Sequence, residues 1–450
     1  MPVLIGPDLT FADVIAVARH DEPVEVSEQA LTAVDRAADH VAQLADDVVP
    51  HYGISTGFGA LASKRVPVEQ RAILQHSLIR SHAASTGAEV EREVIRAMML
   101  LRLKTMASGH TGVRREVVLG YAAMLNAGIT PITGEYGSLG CSGDLAPLAH
   151  AALALTGEGI VRDKAGTQMS AADALAAAGL EPITLREKEG LALINGTDGM
   201  LGQLILALTD LDTLVTTADL TTAMTVQALC GIDAVFAPDL QALRPHEGQK
   251  LSAANIAALL KDSPLIQAGK SEESKRVQDA YSLRCAPQVT GAVRDTMAHA
   301  AHVAQVELVS AIDNPAVTDD LRVESNGNFH GAPVAYVLDF LAIAVADLAS
   351  MSERRTDRML DPARSRGLNA FLANDPGVDS GYMIAQYTQA SIVSELKRLA
   401  VPASADSIPT SAMQEDHVSL GWSAARKLRR AVDGLGLSLI HISEPTRPLY

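Results

Sequence analysis

Apolar residues recur at helical spacing along most of the chain and predict a protein built of α-helices. Ser27 has the residue type of an N-cap, and apolar positions three to four residues apart follow it: Leu31, Val34, Ala38, Val41 and Leu44. The same spacing predicts further helices, which cover residues 69–84, 90–106, 113–127, 287–312, 335–354, 380–399 and 411–432.

Turn-forming residues interrupt this pattern at a few places. A small hairpin is predicted at residues 160–167, around Ala165-Gly166, and the polar residues 271–275 predict a mobile loop. Gly128 follows the helix predicted at 113–127 as its C′ residue. The pattern as a whole therefore predicts an all-α fold, an elongated bundle of long helices that buries its outer faces in an oligomer.

Composition agrees with the helical fold and narrows the possible partners. Hydrophobic residues make up 48% of the chain and aromatic residues only 3%, which disfavours a β-sandwich. The formal net charge of −16 makes nucleic acid an unfavourable partner. Three sparse cysteines do not form a disulfide framework, and we expect a cytoplasmic protein without a signal peptide. Residues 337–349 are too short and too charged to span a membrane.

The segment with the most chemical information is residues 137–150, GSLGCSGDLAPLAH. A phosphate-binding loop does not fit, because no Lys-Ser/Thr pair follows Gly143. A serine-hydrolase elbow does not fit either, because Asp144 lies where a glycine is needed. In Cys141-Ser142-Gly143, however, the glycine nitrogen can approach the Cys141 carbonyl carbon. Ring closure and loss of two waters would give a methylidene-bearing imidazolone, which is a strong electrophile.

GSLGCSGDLAP resembles the sequence signature of the histidine/phenylalanine/tyrosine ammonia-lyase family. The cofactor of that family is 4-methylidene-imidazol-5-one (MIO), and Cys141 replaces the usual alanine, of which only the carbonyl enters the ring. The resemblance extends from about residue 8 to about residue 433. It includes five further segments: HYGISTGFG, NGTDGM, QDAYSLRCAPQ, ESNGNFHGAP and AMQEDHVS.

The resemblance implies roles for individual residues. Tyr52 would remove the substrate β-proton, and Arg284 would bind the substrate carboxylate through two parallel hydrogen bonds. Asn195 and Tyr281 would orient the amine and the cofactor oxygen, and Phe329 would stack near the substrate ring. The expected catalytic set is Tyr52, Ser142, Tyr281 and Glu415, and the expected substrate-binding set is His82, Asn195, Gln278, Arg284, Phe329 and Glu415.

Two positions indicate the substrate. The Ser81-His82 pair is typical of the histidine-specific branch of the family, and Glu415 is glutamine in the phenylalanine and tyrosine branches. A carboxylate can accept a hydrogen bond from an imidazole N–H, but beside a phenyl ring it would be desolvated without a partner. The expected reaction converts L-histidine to trans-urocanate and ammonia. A phenylalanine or tyrosine lyase, an aminomutase, and an inactive truncated scaffold are the alternatives.

The resemblance also implies an organisation for the chain. We expect a smaller, mostly helical N-terminal domain over residues 1–110, with the Tyr52 loop and His82, followed by the MIO loop and a central bundle over residues 111–437. Residues 438–450 resemble translated sequencing-adapter DNA and predict a loosely packed, non-native tail that replaces further family helices. The family implies a homotetramer. No metal site is expected, because no third ligand accompanies His299 and His302.

Overall fold

The computed structural model describes residues 2–271 and 277–443, and most of these residues are helical. The helices are α1 Phe11–His20, α2 Glu28–Ala45, α3 Arg71–His82, α4 Arg92–Ala107, α5 Arg115–Asn126, α6 Leu145–Leu155, α7 Ala171–Ala177, α8 Glu189–Ile194, α9 Asp198–Ala228, α10 Pro238–Ala242, α11 Glu247–Leu260, α12 Pro264–Ala268, α13 Tyr281–Arg284, α14 Ala286–Val309, α15 Ala332–Leu360, α16 Met383–Leu399 and α17 Gly421–Ser443. The predicted all-α class is confirmed. The predicted mobile loop at 271–275 lies outside the described residues except for Ser271.

Short strands connect some of these helices. They are β1 Val3–Ile5, β2 Val24–Val26, β3 Thr86–Glu89, β4 Thr130–Pro131, β5 Gly134–Tyr136, β6 Ile160–Arg162, β7 Gln168–Ser170, β8 Ala316–Val317 and β9 Val323–Glu324. β1 pairs with β2 in parallel, whereas β3–β5, β4–β6, β6–β7 and β8–β9 are antiparallel. The β6–β7 hairpin confirms the prediction at 160–167, and Gly166 in its turn has a φ of +85°.

The described residues form two compact units, and each is assembled from three stretches of chain. The first contains Met1–Leu206, Val303–Tyr336 and Ala403–Arg426. The second contains Ala207–His302, Val337–Pro402 and Lys427–Tyr450. The domain boundary that the sequence predicts at residue 110 stays a prediction.

Helix α4 is the buried centre of the first unit. Every residue from Val94 to Ala107 is buried, as expected for a helix that is surrounded by other elements. Its basic side chains donate hydrogen bonds to main-chain carbonyl groups: Arg96 to Val17 and Leu125, Arg102 to Asn195 and Ile312, and Lys104 to Ser310. Helix α4 thus binds the main chain of α1, of α5 and of the segments at residues 195 and 310–312 through charged hydrogen bonds.

Helix α2 begins as the sequence predicts. The Ser27 hydroxyl accepts a hydrogen bond from the Ala30 N–H at 3.1 Å. We expect Ser27→Ala to lower the free energy of unfolding by about 1 kcal/mol, because one N–H of the first turn loses its partner. Denaturant unfolding of the purified variant measures this change. Ser27→Asp restores an acceptor and should recover most of the loss, and equal losses in the two variants would contradict the capping role.

The helix predicted over residues 411–432 is wrong in its first half. Residues Ser411–Met413 form a single 3-10 turn, and α17 begins only at Gly421. Ser411, Ala412 and Met413 have φ angles of 52°, 53° and 70°, which a right-handed helix does not allow. The turn is closed by Thr410, whose main chain exchanges hydrogen bonds with that of Glu415.

The predicted end of the last helix at residue 432 is also wrong, because α17 continues to Ser443. A Cβ at Gly434 would lie 2.9 Å from the Leu396 side chain, so glycine permits close contact with α16. Ser438 is buried, and its carbonyl oxygen accepts a hydrogen bond from the Gln389 amide at 2.9 Å. The expected loose packing therefore does not hold at Ser438, whereas residues 444–450 lie outside the described residues.

Two helices, α9 and α15, are long and apolar enough to cross a membrane by length and composition alone. The most apolar window of α9 is 67% buried within the protein, and that of α15 is 61% buried. Such burial is typical of core helices in globular proteins.

Candidate active site

A cavity of about 660 Å³ in the first unit brings together most of the residues singled out by the sequence. They come from separate stretches of the chain: Tyr52, His82, Cys141, Ser142, Asn195, Phe329 and Glu415. The rest of the lining includes Phe58, Leu78, Leu145, Leu191, Asn314, His330, Gln414, Asp416 and His417. The cavity thus has both apolar and polar walls, as small-molecule sites usually do.

The loop that carries Ser142 has a backbone that only glycine allows. Gly143 has a φ of +77°, and a Cβ at this position would collide with the carbonyl group of Gly196. The next residue, Asp144, donates its N–H to the same Gly196 carbonyl at 2.7 Å. The loop is therefore held against the chain that precedes α9.

The buried carboxyl group of Asp144 anchors this loop. Asp144 accepts hydrogen bonds from the Ser138 hydroxyl and from the Met200 N–H, each at 2.8 Å. Complete burial raises the pKa of Asp144 to about 7, against the lowering effect of these donors. The side chain accordingly ties both ends of the loop to the first turns of α9.

Tyr52 and His82 form another part of the cavity wall. The Tyr52 hydroxyl accepts a hydrogen bond from the Gly59 N–H at 3.2 Å. His82 is the last residue of α3, and its Nδ1 lies 2.8 Å from the carbonyl oxygen of Leu78. Because a carbonyl oxygen only accepts, Nδ1 carries the proton, and Nε2 of the neutral ring is an acceptor.

Asn195 is held rigidly at the end of α8. Its amide nitrogen donates to the Asn314 carbonyl at 2.9 Å, and its own carbonyl accepts from Arg102 at 2.8 Å. Arg102 donates a second hydrogen bond of 2.8 Å to Ile312, so one guanidinium joins two segments of the cavity wall. Asn195 Oδ1 is buried and has no partner among the described residues, so it is available to a ligand.

Glu415 is half-buried beside the Ser142 loop. Its Oε2 accepts a hydrogen bond from the Thr410 hydroxyl at 2.9 Å. Burial, and then the charge of Glu415, raise the pKa of the Cys141 thiol to about 12. Cys141 therefore remains a protonated thiol at neutral pH, and Glu415 is placed to accept hydrogen bonds within the cavity.

Two further histidines, His330 and His417, line this cavity and were not predicted from the sequence to belong to the site. The rings of His330 and His417 are stacked, with centroids 5.2 Å apart, and His330 Nε2 lies 3.1 Å from His417 Nδ1. Both lie in segments that carry the family resemblance, ESNGNFHGAP and AMQEDHVS. Their place in these segments is the sequence feature that could have indicated a role in the site. Their pairing depends on tertiary structure and has no signature in either segment alone.

Gln278, Tyr281 and Arg284 do not line the cavity, and all three belong to the second unit. Tyr281 is 69% exposed, and the Arg284 guanidinium lies 4.6 Å from the centre of its ring. The described residues that line the cavity include the carboxylates of Glu415 and Asp416 and no lysine or arginine. Within residues 2–271 and 277–443, no group of three or more His, Cys, Asp or Glu side chains is arranged to hold a metal ion.

The helical fold and the cavity beside the glycine-rich Ser142 loop fit the carbon–nitrogen lyase class that the sequence motifs indicate. Residues 9–439 match the family described as aromatic amino acid lyase, and the chain belongs to this family.

Several relatives and solved structures are similar to the chain. The histidine ammonia-lyase of Streptomyces coelicolor is 64% identical over 434 residues, which cover 96% of this chain and 85% of the relative. The histidine ammonia-lyase of Symbiobacterium thermophilum is 48% identical, covering 96% of this chain and 84% of the relative. The structure of histidine ammonia-lyase from Trypanosoma cruzi has a TM-score of 0.88 and 38% identity, over 99% of this chain and 86% of that one. Tyrosine aminomutase from Streptomyces globisporus has a TM-score of 0.91 and 36% identity, over 99% and 89%.

Proposed function

We propose that this chain is a histidine ammonia-lyase, which converts L-histidine to trans-urocanate and ammonia. The observation that carries the proposal is the presence of Glu415 and His82 in the same cavity as Ser142. Similarity to histidine ammonia-lyases at up to 64% identity supports it further. Glu415 is the side chain best suited to select imidazole, because its carboxylate can accept a hydrogen bond from a ring N–H.

The cofactor of the proposed enzyme is MIO, formed from Cys141-Ser142-Gly143. The Gly143 nitrogen bonds to the Cys141 carbonyl carbon with loss of one water, and Ser142 loses a second water to leave a methylidene group. The left-handed Gly143, which has no room for a Cβ, and the anchored Asp144 fit this requirement, because they bend the chain and hold it. When present, the group supplies an electrophile that side chains lack.

The residues of the cavity would bind and orient L-histidine. Glu415 accepts the imidazole N–H, Phe329 packs against the ring, and Asn195 Oδ1 accepts a hydrogen bond from the amine. Tyr52 would accept the β-proton, and the phenolate oxygen is the form that can do so. Overall, the Cβ–H and Cα–N bonds break, a Cα=Cβ double bond forms, and the amine and the proton leave as ammonium.

The substrate carboxylate requires a cation, which the described lining of the cavity does not contain. In the proposed homotetramer, Arg284 of another copy would supply it, together with Gln278 and Tyr281. The exposure of Tyr281 supports this arrangement, since a residue that completes a neighbouring site must be accessible before assembly. We place the enzyme in the cytoplasm, where free cysteines remain reduced.

The test is an absorbance assay for the conjugated product. The purified chain is incubated with L-histidine, L-phenylalanine or L-tyrosine, and the formation of urocanate, cinnamate or coumarate is followed. We expect turnover with L-histidine and little with the other two. A preference for L-phenylalanine or L-tyrosine would favour the alternative lyase. A β-amino acid product would favour an aminomutase. No product with any substrate would contradict the proposal.

Replacement of Cys141 tests which atoms enter the ring. Only the main chain of Cys141 takes part in the proposed cyclisation, so we expect Cys141→Ala to retain the mass loss of two waters. Activity should stay within about threefold of the wild type, because removal of a small buried thiol leaves only a small gap. Intact-protein mass spectrometry and the urocanate assay measure both effects. An uncyclised, inactive Cys141→Ala protein would show that the thiol itself is required.

A further inference from the structure

The two stacked histidines of the cavity join two of its walls. His330 belongs to the segment that follows β9 and also carries Phe329, whereas His417 belongs to the loop that carries Glu415. The contact between their rings, with an interplanar angle of 24°, spans 87 residues of sequence. Any change at this contact therefore acts on both the ring-stacking and the imidazole-binding parts of the proposed site.

The hydrogen bonds of the pair define the proton positions. The Ala332 N–H donates to His330 Nδ1 at 3.3 Å, so this nitrogen carries no proton. His330 Nε2 then carries the proton and donates it to His417 Nδ1 at 3.1 Å. Because His417 Nδ1 accepts, its Nε2 is the protonated nitrogen in the neutral ring. The three groups form one directional chain of donors and acceptors from the backbone to the cavity.

The loop that carries Glu415 needs contacts that hold its backbone in place. Its three consecutive residues with positive φ, Ser411–Met413, have strained backbone conformations that persist only when surrounding contacts enforce them. Two hydrogen bonds fix the chain beyond the loop: Val418 donates to the Ser407 hydroxyl at 3.0 Å, and Leu420 donates to the Leu139 carbonyl at 2.8 Å. The His330–His417 bond connects the loop to the wall that carries Phe329.

We propose that His330 and His417 are a pair of positioning residues that hold Glu415 at the correct distance from Phe329 for an imidazole ring. This inference rests on the proposed function, because it assigns Glu415 to the substrate ring. His330 and His417 act through Glu415 and Phe329. Loss of the pair should weaken imidazole binding more than it slows the subsequent chemistry.

The test compares disruptive and conservative variants. His417→Leu and His330→Leu remove the hydrogen bond, and each should raise KM for L-histidine by about 3- to 10-fold with a smaller change in kcat. His417→Asn retains an acceptor near the position of Nδ1, and His330→Gln retains a donor near that of Nε2, so both should recover most of the loss. The double leucine variant should be no worse than either single variant, because one shared contact is lost. His20→Leu, at the exposed end of α1, is the matched control and should leave both constants unchanged.

Calorimetric titration with imidazole separates this inference from the proposed function. If the wild type produces no urocanate but binds imidazole, the proposed function fails, and weaker binding in the two leucine variants still supports the pair. Additive losses in the double variant, or conservative variants as weak as the leucine variants, would overturn the proposal. Equal imidazole affinity in all variants would also overturn the proposal, as would the absence of measurable imidazole binding by the wild type.

Discussion

Ser142→Ala should abolish the formation of urocanate while the protein remains folded. Alanine has no hydroxyl to lose as water, so the methylidene group cannot form, and activity should fall by a factor on the order of 10³ or more. Ser142 is only partly buried, and removal of one hydroxyl should change stability little. The urocanate assay measures the loss, and circular dichroism with thermal unfolding measures the fold.

Intact-protein mass gives this prediction a second measurement. The wild type should be lighter than its sequence by two waters, whereas Ser142→Ala should lack at least the water that Ser142 supplies. Ser350→Ala, the same substitution on α15, should leave mass loss and activity as in the wild type. An active wild-type preparation without any loss of water would refute the cofactor.

Glu415→Gln should change the substrate preference. The carboxylate accepts the imidazole N–H as a charged acceptor, and replacing it by a neutral amide should lower kcat/KM for L-histidine roughly 10- to 100-fold. Turnover of L-phenylalanine has no such hydrogen bond to lose, so it should fall much less or rise. The measurement is the ratio of kcat/KM for the two substrates.

Two controls accompany this variant. Glu395→Gln, at an exposed position of α16, removes a carboxylate that does not line the cavity and should not alter the ratio. Thr410→Val removes the hydroxyl that donates to Glu415 and should cause a smaller change in the same direction. Equal losses with both substrates in Glu415→Gln would show that Glu415 does not select imidazole.

The sequence predicted α2, α14, α15 and α16 well, because apolar spacing and caps are local properties. Ser27 at the start of α2 and the predicted helix that corresponds to α14 are examples. It failed over residues 411–420, where apolar spacing continues but the main chain of Thr410 pairs with that of Glu415. It also failed at Gly434, where a residue that normally ends a helix instead allows close packing against Leu396.

In the candidate site, too, local sequence features could be predicted and contacts between distant residues could not. Ser142, Tyr52 and Glu415 could be singled out because their segments resemble a known family, and the structure places them around one cavity. The pairing of His330 with His417 could not be predicted, because hydrogen bonds between distant side chains have no periodicity in sequence. The same holds for the Arg102 guanidinium, which donates to the carbonyl oxygen of Asn195 and to that of Ile312, 210 residues away from Arg102.

The division of the first unit into three stretches has a consequence for biosynthesis. The cavity needs Tyr52 from the first stretch, Phe329 from the second and Glu415 from the third. During translation, the early helices emerge long before their last partners, and the loops that close the site span hundreds of residues. A nascent chain therefore cannot complete its pocket until the ribosome has passed residue 417.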